Sequence, residues 1–188
     1  MASLLAPHNP RLLTVEEFLQ IDFGAELKAE LDRGVIVMMA GGTRDHARIQ
    51  GNFMRFLGNA LRGTGCRPYG SDMKVRSHDM SVRYPDVTVD CGALGDAGGD
   101  EFLHAPRIIV EVLSPSTRGK DAGVKLDEYR SLPTVETIVL VDPETERLRV
   151  LQRSGPQSWN DAVFVGPAAL DLPSLNVTMP HDEIFARD

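Results

Sequence analysis

The period of the apolar positions changes several times along the chain, and each change marks an element. Thr14-Val15-Glu16-Glu17-Phe18-Leu19 carries an N-cap threonine and a glutamate at the capping-box position, which predicts a short helix. A further helical turn or two is expected over Ala25 to Glu30. Gly34 interrupts it, and the apolar run Val35 to Met39 reads as a strand. After the Gly41-Gly42 turn comes the clearest helix, Arg44 to Leu61. At about 100° per residue, Arg44, Arg48, Arg55 and Arg62 fall within roughly 40° of one another. Ile49, Phe53, Phe56, Leu57 and Ala60 occupy the opposite side, so the helix is amphipathic with an arginine stripe. Gly63 and Gly65 end it.

Beyond this helix the period is mostly that of strands. Met73 to Arg76 and Val82 to Val89 are expected strands. The glycine-rich stretch Cys91 to Pro106 is an expected loop. Arg107 to Leu113 is almost continuously apolar, the pattern of a strand covered on both faces. Lys120 to Leu132 reads as a helix stopped by Pro133. Thr137 to Val141 reads as a buried strand ending at Asp142-Pro143, with Leu148 to Gln152 as its hairpin partner. The remainder reads as irregular, closing in a short turn around Asp182 to Phe185. The order implies an α/β fold, a mixed sheet with helices packed on it. The 188 residues suit one domain, with a core over about 13–153 and an irregular extension over 154–188.

Composition adds limits. The chain is 42% hydrophobic and 25% charged, as expected of an ordinary globular protein. There is no CxxC pair and no Cys/His cluster with zinc spacing, so Cys66 and Cys91 are expected as free thiols in a reducing compartment. The start lacks a basic segment followed by an apolar one, and no apolar run is long enough to span a membrane, so a cytoplasmic location is expected. The net charge of −7 weighs against a nucleic-acid partner, but the distribution is uneven. Residues 44–83 hold eight basic and three acidic side chains, whereas 84–188 hold nine and eighteen. A basic window of this kind is either a solvated face or a phosphate-binding one.

The sharpest chemical feature is Glu111, set inside Arg107-Ile108-Ile109-Val110-Glu111-Val112-Leu113. A carboxylate there is costly unless it is paired with a buried cation or binds a metal. Tyr84-Pro85-Asp86-Val87-Thr88-Val89 places an aspartate at the start of another apolar strand, where it is either a turn residue or a second acid beside Glu111. Two acids on adjacent strands make an all-oxygen site suited to Mg²⁺ or Mn²⁺. Asp121, Lys125 and Tyr129 recur at helical spacing, so Lys125 either points back toward Glu111 or pairs with Asp121 at the surface. Ser114 and Ser116 lack a nucleophile-elbow context and suit turn or capping duty. His46 falls on the apolar side of its helix, where a satisfied core histidine competes with a proton-transfer role. Glu30 is either a solvated helix-end carboxylate or a site residue.

Taken together, these residues resemble the Uma-type endonucleases of the PD-(D/E)XK nuclease superfamily. The likeness rests on Pro85-Asp86, on Glu111-Val112 followed by Ser114-Pro115-Ser116-Thr117, and on Asp121, Lys125 and Tyr129. It also rests on Glu30-Leu31-Asp32-Arg33-Gly34 and Asp45-His46-Ala47-Arg48-Ile49, and runs from about Leu13 to Phe185. The resemblance implies a restriction-endonuclease-like fold with a four-stranded mixed sheet core, and Mg²⁺ held by Asp86, Glu111 and the Val112 carbonyl. In the superfamily pattern a lysine stands two residues after the acid, where this chain has Leu113. Lys125 inherits that role, and Glu30 matches an acidic residue of the first helix. Two readings follow. One is a Mg²⁺- or Mn²⁺-dependent endonuclease, with Arg44, Arg48, Arg55 and Arg62 contacting DNA phosphates and a homodimer cutting duplex DNA. The other is a catalytically silent nuclease-fold module for DNA binding or assembly. A phosphodiesterase for small nucleotides is disfavoured, because no base-stacking aromatic cluster lies near the motif.

Overall fold

The computed structural model describes residues 11–24, 27–39, 41–92, 99–114 and 123–187. Helix α1 (Val15–Leu19) starts at Thr14 with both halves of the capping box formed, as the sequence predicts. The stretch expected as a second helix is different. Ala29–Asp32 is strand β1, paired antiparallel with β2 (Val35–Met38). Arg33 and Gly34 both have positive φ (48° and 83°), the backbone a two-residue hairpin turn of the right twist requires. Ala, Glu and Leu favour helices in isolation, but burying Ala29 and Leu31 in a sheet outweighs propensities of a few tenths of a kcal/mol. Glu30 therefore stands in a buried strand and not at a helix end.

Helix α2 (Arg44–Ala60) is capped by Thr43, whose side chain accepts from the His46 amide. Its apolar side, Ile49, Phe53 and Leu57, packs on one face of a six-stranded sheet, against Val87, Val89, Ile108, Val110 and Val112. The order of that sheet is β10-β9-β8-β7-β6-β3, built from β3 (Arg67–Gly70), β6 (Val87–Asp90), β7 (Pro106–Val112), β8 (Thr137–Asp142), β9 (Arg147–Gly155) and β10 (Ser158–Phe164). Only β7 and β8 run parallel, so the chain must cross over between them. Helix α3 (Val124–Ser131) lies on that crossover and covers the other face, where Leu126 and Tyr129 meet Ile109, Ile138, Leu140 and Leu151. Residues 115–122, with Ser116 and Asp121, lie outside the described residues.

The expected strand Val82 to Val89 is two strands in two sheets. β5 (Ser81–Arg83) belongs to a four-stranded sheet of order β2-β1-β5-β4, with β4 spanning Val75–His78, whereas β6 belongs to the larger sheet. Pro85 stands at the break. It has no N–H for a ladder, and it restricts the residue before it. Asp86 is thus carried at the crossing between the sheets.

The C-terminal part is ordered, not irregular. β10 pairs with β9, β11 (Leu170–Leu172) pairs with β12 (Val177–Met179) through a short 3-10 turn, and α4 (His181–Phe185) follows. Leu170, Leu172, Met179, Ile184 and Phe185 all enter the α2-side core. Their short apolar pairs are too brief for a periodic signal, which is why the sequence pattern misses them. The free-thiol expectation is also corrected: Cys66 and Cys91 form a disulfide. β3 and β6 pair antiparallel with Arg67 opposite Asp90, which sets the two flanking cysteines side by side. Pairing across 25 positions is a tertiary fact that spacing does not reveal.

Candidate active site

Three backbone segments carry the acids: β1 holds Glu30, the head of β6 holds Asp86 and β7 holds Glu111. Asp86, at the head of β6, is fixed through its carboxylate and its carbonyl. Its Oδ2 accepts the Val112 amide at 2.7 Å, and its backbone carbonyl accepts Gln50 Nε2 from α2 at 2.9 Å. The Val112 bond ties Asp86 to the residue next to Glu111, at the end of the neighbouring strand. His46 Nε2 lies 3.1 Å from the same Oδ2. The histidine that periodicity assigned to the apolar side of α2 therefore reaches the site, one turn from the helix start.

Glu111 is buried on the α3 side of β7, because side chains alternate along a strand and Ile109 faces the same way. Two side chains four residues apart on α3 meet its Oε1. Tyr129 donates its hydroxyl at 2.6 Å, and Lys125 Nζ stands at 3.5 Å. Lys125 Nζ also lies 3.0 Å from Glu30 Oε1, so one ammonium joins an acid of each sheet. Of the sequence alternatives for Lys125, the inward one is observed: the residue is buried. Burial together with the charges of Glu111 and Glu30 holds the Tyr129 hydroxyl well above its ordinary pKa, so it remains a donor wherever the protein is folded.

Two residues of this region escape the sequence reading. Arg83 is 1% exposed and the largest fully buried side chain. It donates from Nε and Nη2 to both oxygens of Glu128 (2.8 and 2.9 Å), from Nη2 to Asp32 (2.7 Å) and from Nη1 to Glu30 Oε2 (3.3 Å). Glu128, buried on α3, accepts in addition from the Ser77 and Ser81 hydroxyls. Burial would raise the Glu128 carboxyl, but hydrogen bonds from Arg83 and the serines outweigh it and hold its pKa below the ordinary value. The available signal was a lone arginine inside Ser81-Val82-Arg83-Tyr84, as anomalous in a strand as Glu111.

The arginine stripe is divided. Arg48 donates to the carbonyls of Phe185 and Ala186 and pairs with Asp45, and Arg55 pairs with Glu183. Those two are engaged with the C-terminal helix, whereas Arg44 and Arg62 are exposed at the two ends of α2. Ser114 is half-buried just beyond β7. Among the described residues, no three His, Cys, Asp or Glu side chains converge as a metal cage, and no helix is long and apolar enough to cross a membrane.

Comparison with known proteins decides the family. Residues 15–180 match the family model Uma2, described as a putative restriction endonuclease. The chain belongs to the Uma2 family. Two relatives come from Synechocystis. The uncharacterized protein slr1290 is 29% identical over 174 residues, covering 92% of this chain and 91% of that protein. The uncharacterized protein sll1609 is 30% identical over 152 residues, covering 79% and 85%. Among solved structures, a putative nuclease belonging to DUF820 from Anabaena variabilis superposes with a TM-score of 0.76 at 22% identity, over 93% of this chain and 98% of that one. The restriction-endonuclease-like α/β fold expected from the sequence is thus the fold observed, with a larger sheet than the four-stranded core.

Proposed function

We propose that this Uma2-family chain is a Mg²⁺- or Mn²⁺-dependent endodeoxyribonuclease whose site is Asp86, Glu111, Lys125 and Glu30. One observation carries the reading: Asp86 is tied to the Glu111-Val112 strand end, and a buried lysine is held between Glu111 and Glu30. The donor set fits the metal. Mg²⁺ commonly takes one or two carboxylates and keeps waters and substrate phosphate for its other positions, so it does not need a cluster of three ligating side chains, of which there is none among the described residues. Asp86 and Glu111, with the Val112 carbonyl, are the groups to hold it. A bound divalent ion there supplies Lewis acidity and a water of lowered pKa.

The side chains do the rest. Lys125 offsets the carboxylate charge and stands 3.5 Å from Glu111, as a cation for the charge that grows on the scissile phosphate. Tyr129 holds Glu111 in one rotamer by its short hydrogen bond. His46 orients Asp86 from the α2 side and stands as the group for proton transfer to water. Arg44 and Arg62 serve as phosphate contacts, while Arg48 and Arg55 contribute mainly by holding α2 on the C-terminal helix. Duplex cleavage calls for two such sites, hence a homodimer.

Incubation of plasmid with the protein and Mg²⁺ or Mn²⁺ tests this directly. Nicking by the wild type that vanishes in Asp86→Ala is the expected result. Absence of nicking, with DNA retained in metal-free buffer, establishes the silent binding module instead.

A further inference from the structure

Arg83 and Glu128 take no part in the chemistry above, yet they are the most completely buried ion pair in the molecule's described part. Their placement is specific. Arg83 leaves from β5 two residues before Pro85, so it sits on the segment that carries Asp86. Glu128 sits on α3 between Lys125 and Tyr129, the two residues that contact Glu111. Glu30, the third partner, is shared: Oε2 accepts from Arg83 and Oε1 faces Lys125. From β5, a single planar guanidinium thus links β1 and α3, the elements that carry Glu30 and Lys125, and Lys125 in turn reaches Glu111 on β7.

Resting on the nuclease reading, we propose that Arg83 is a positioning residue that sets Lys125 against Glu111, by fixing Glu30 through one arm of its guanidinium and α3 through the other. Two physical points support it beyond stability. A buried ion pair is seldom worth more than an apolar pair of similar shape, so a network of this cost stands out where geometry is at stake. Lysine would not serve in its place. An ammonium is a point donor, whereas the fork addresses Glu128 bidentately and still reaches Asp32 and Glu30. Without Arg83, the Tyr84 amide at 3.3 Å from Oε1 would hold the Glu30 carboxylate by one oxygen, leaving Oε2 to turn toward Lys125 and draw it away from Glu111.

The test uses the full chain in two forms, Arg83→Lys and the paired Arg83→Met/Glu128→Leu, the second because it removes Arg83 together with its bidentate partner, while Glu30 keeps Lys125 and Asp32 is partly exposed. Two readouts are taken. The first is the side-chain ammonium resonance of Lys125, assigned by its loss in Lys125→Met. The second is plasmid nicking, split into kcat and KM, in the wild-type and Lys125→Met backgrounds. Positioning predicts a moved or exchange-broadened Lys125 resonance in both forms. It also predicts kcat down about tenfold with KM for DNA within twofold, a loss that shrinks to nothing in the Lys125→Met background. An unmoved resonance in a folded variant overturns the proposal, as does an equal loss in both backgrounds, which marks a merely structural role. If the wild type does not nick, the nuclease reading falls and the resonance alone decides the positioning.

Discussion

Two buried charge clusters stand side by side in this protein, and they are built to different rules. Around Arg83, donors and acceptors are matched: a forked cation meets three carboxylates, and two serine hydroxyls take up further acceptor positions on Glu128. Around Glu111, a lysine and a tyrosine converge on one oxygen, and Asp86 is anchored by a backbone amide and a histidine. The first cluster is closed by protein groups. The second places Asp86 and Glu111 at strand ends, with a buried lysine, a point donor on a flexible stem, between Glu111 and Glu30. Equal burial is thus reached in two ways: a planar fork that addresses several carboxylates at once, and a point donor on a flexible stem set between two.

The largest effect should come from breaking the second cluster chemically. Asp86→Ala or Glu111→Gln should abolish nicking and the heat of Mn²⁺ binding in a calorimetric titration, with folding retained. Lys125→Met should lower kcat by roughly 10²-fold, the scale for loss of one preorganised electrostatic partner. Breaking the first cluster should act on stability instead. Glu128→Leu leaves Arg83 buried without its main acceptor and should cost about 3–5 kcal/mol in urea unfolding, whereas the paired Arg83→Met/Glu128→Leu should recover part of it, since Asp32 and the two serines still lose a partner.

Reduction of the Cys66–Cys91 disulfide, which closes a separation of 25 residues, should cost about 3 kcal/mol, read from the unfolding midpoint with and without dithiothreitol. Tyr129→Phe removes one hydrogen bond to a carboxylate and should cost about 2 kcal/mol, with a smaller loss in kcat. The pH dependence sharpens the contrast. Glu128 has its carboxyl held below 4.5 in the folded state, so it binds its proton less tightly there than in the unfolded chain. Its stabilising contribution is present above that value and disappears as pH falls through the lowered folded value. An acid titration of unfolding free energy should lose this component in Glu128→Leu.

Much of this site is legible in the sequence, and the reason lies in anomaly. Glu111 is visible because a carboxylate in an apolar strand needs a partner, and Lys125 and Tyr129 because residues four apart share a helix face. His46 stays undecided for the same reason: helical periodicity gives its side of α2 but cannot say that this side, at the first turn, meets Asp86. Arg83 and Glu128 carry equal anomaly, but their meaning depends on each other, 45 positions apart.

By itself, the sequence determined the long helix α2, the buried strands β7 and β8, the α/β class and the anomaly of Glu111, since these follow from local period and the cost of burying charge. Only the tertiary structure decided that Ala29–Asp32 is a strand, that Pro85 divides two sheets, that Cys66 meets Cys91 and that the C-terminal strands close the core. Each of those depends on partners distant in the chain. Burial and pairing outweigh local preferences of a few tenths of a kcal/mol, and no local pattern records which distant residue will be the partner.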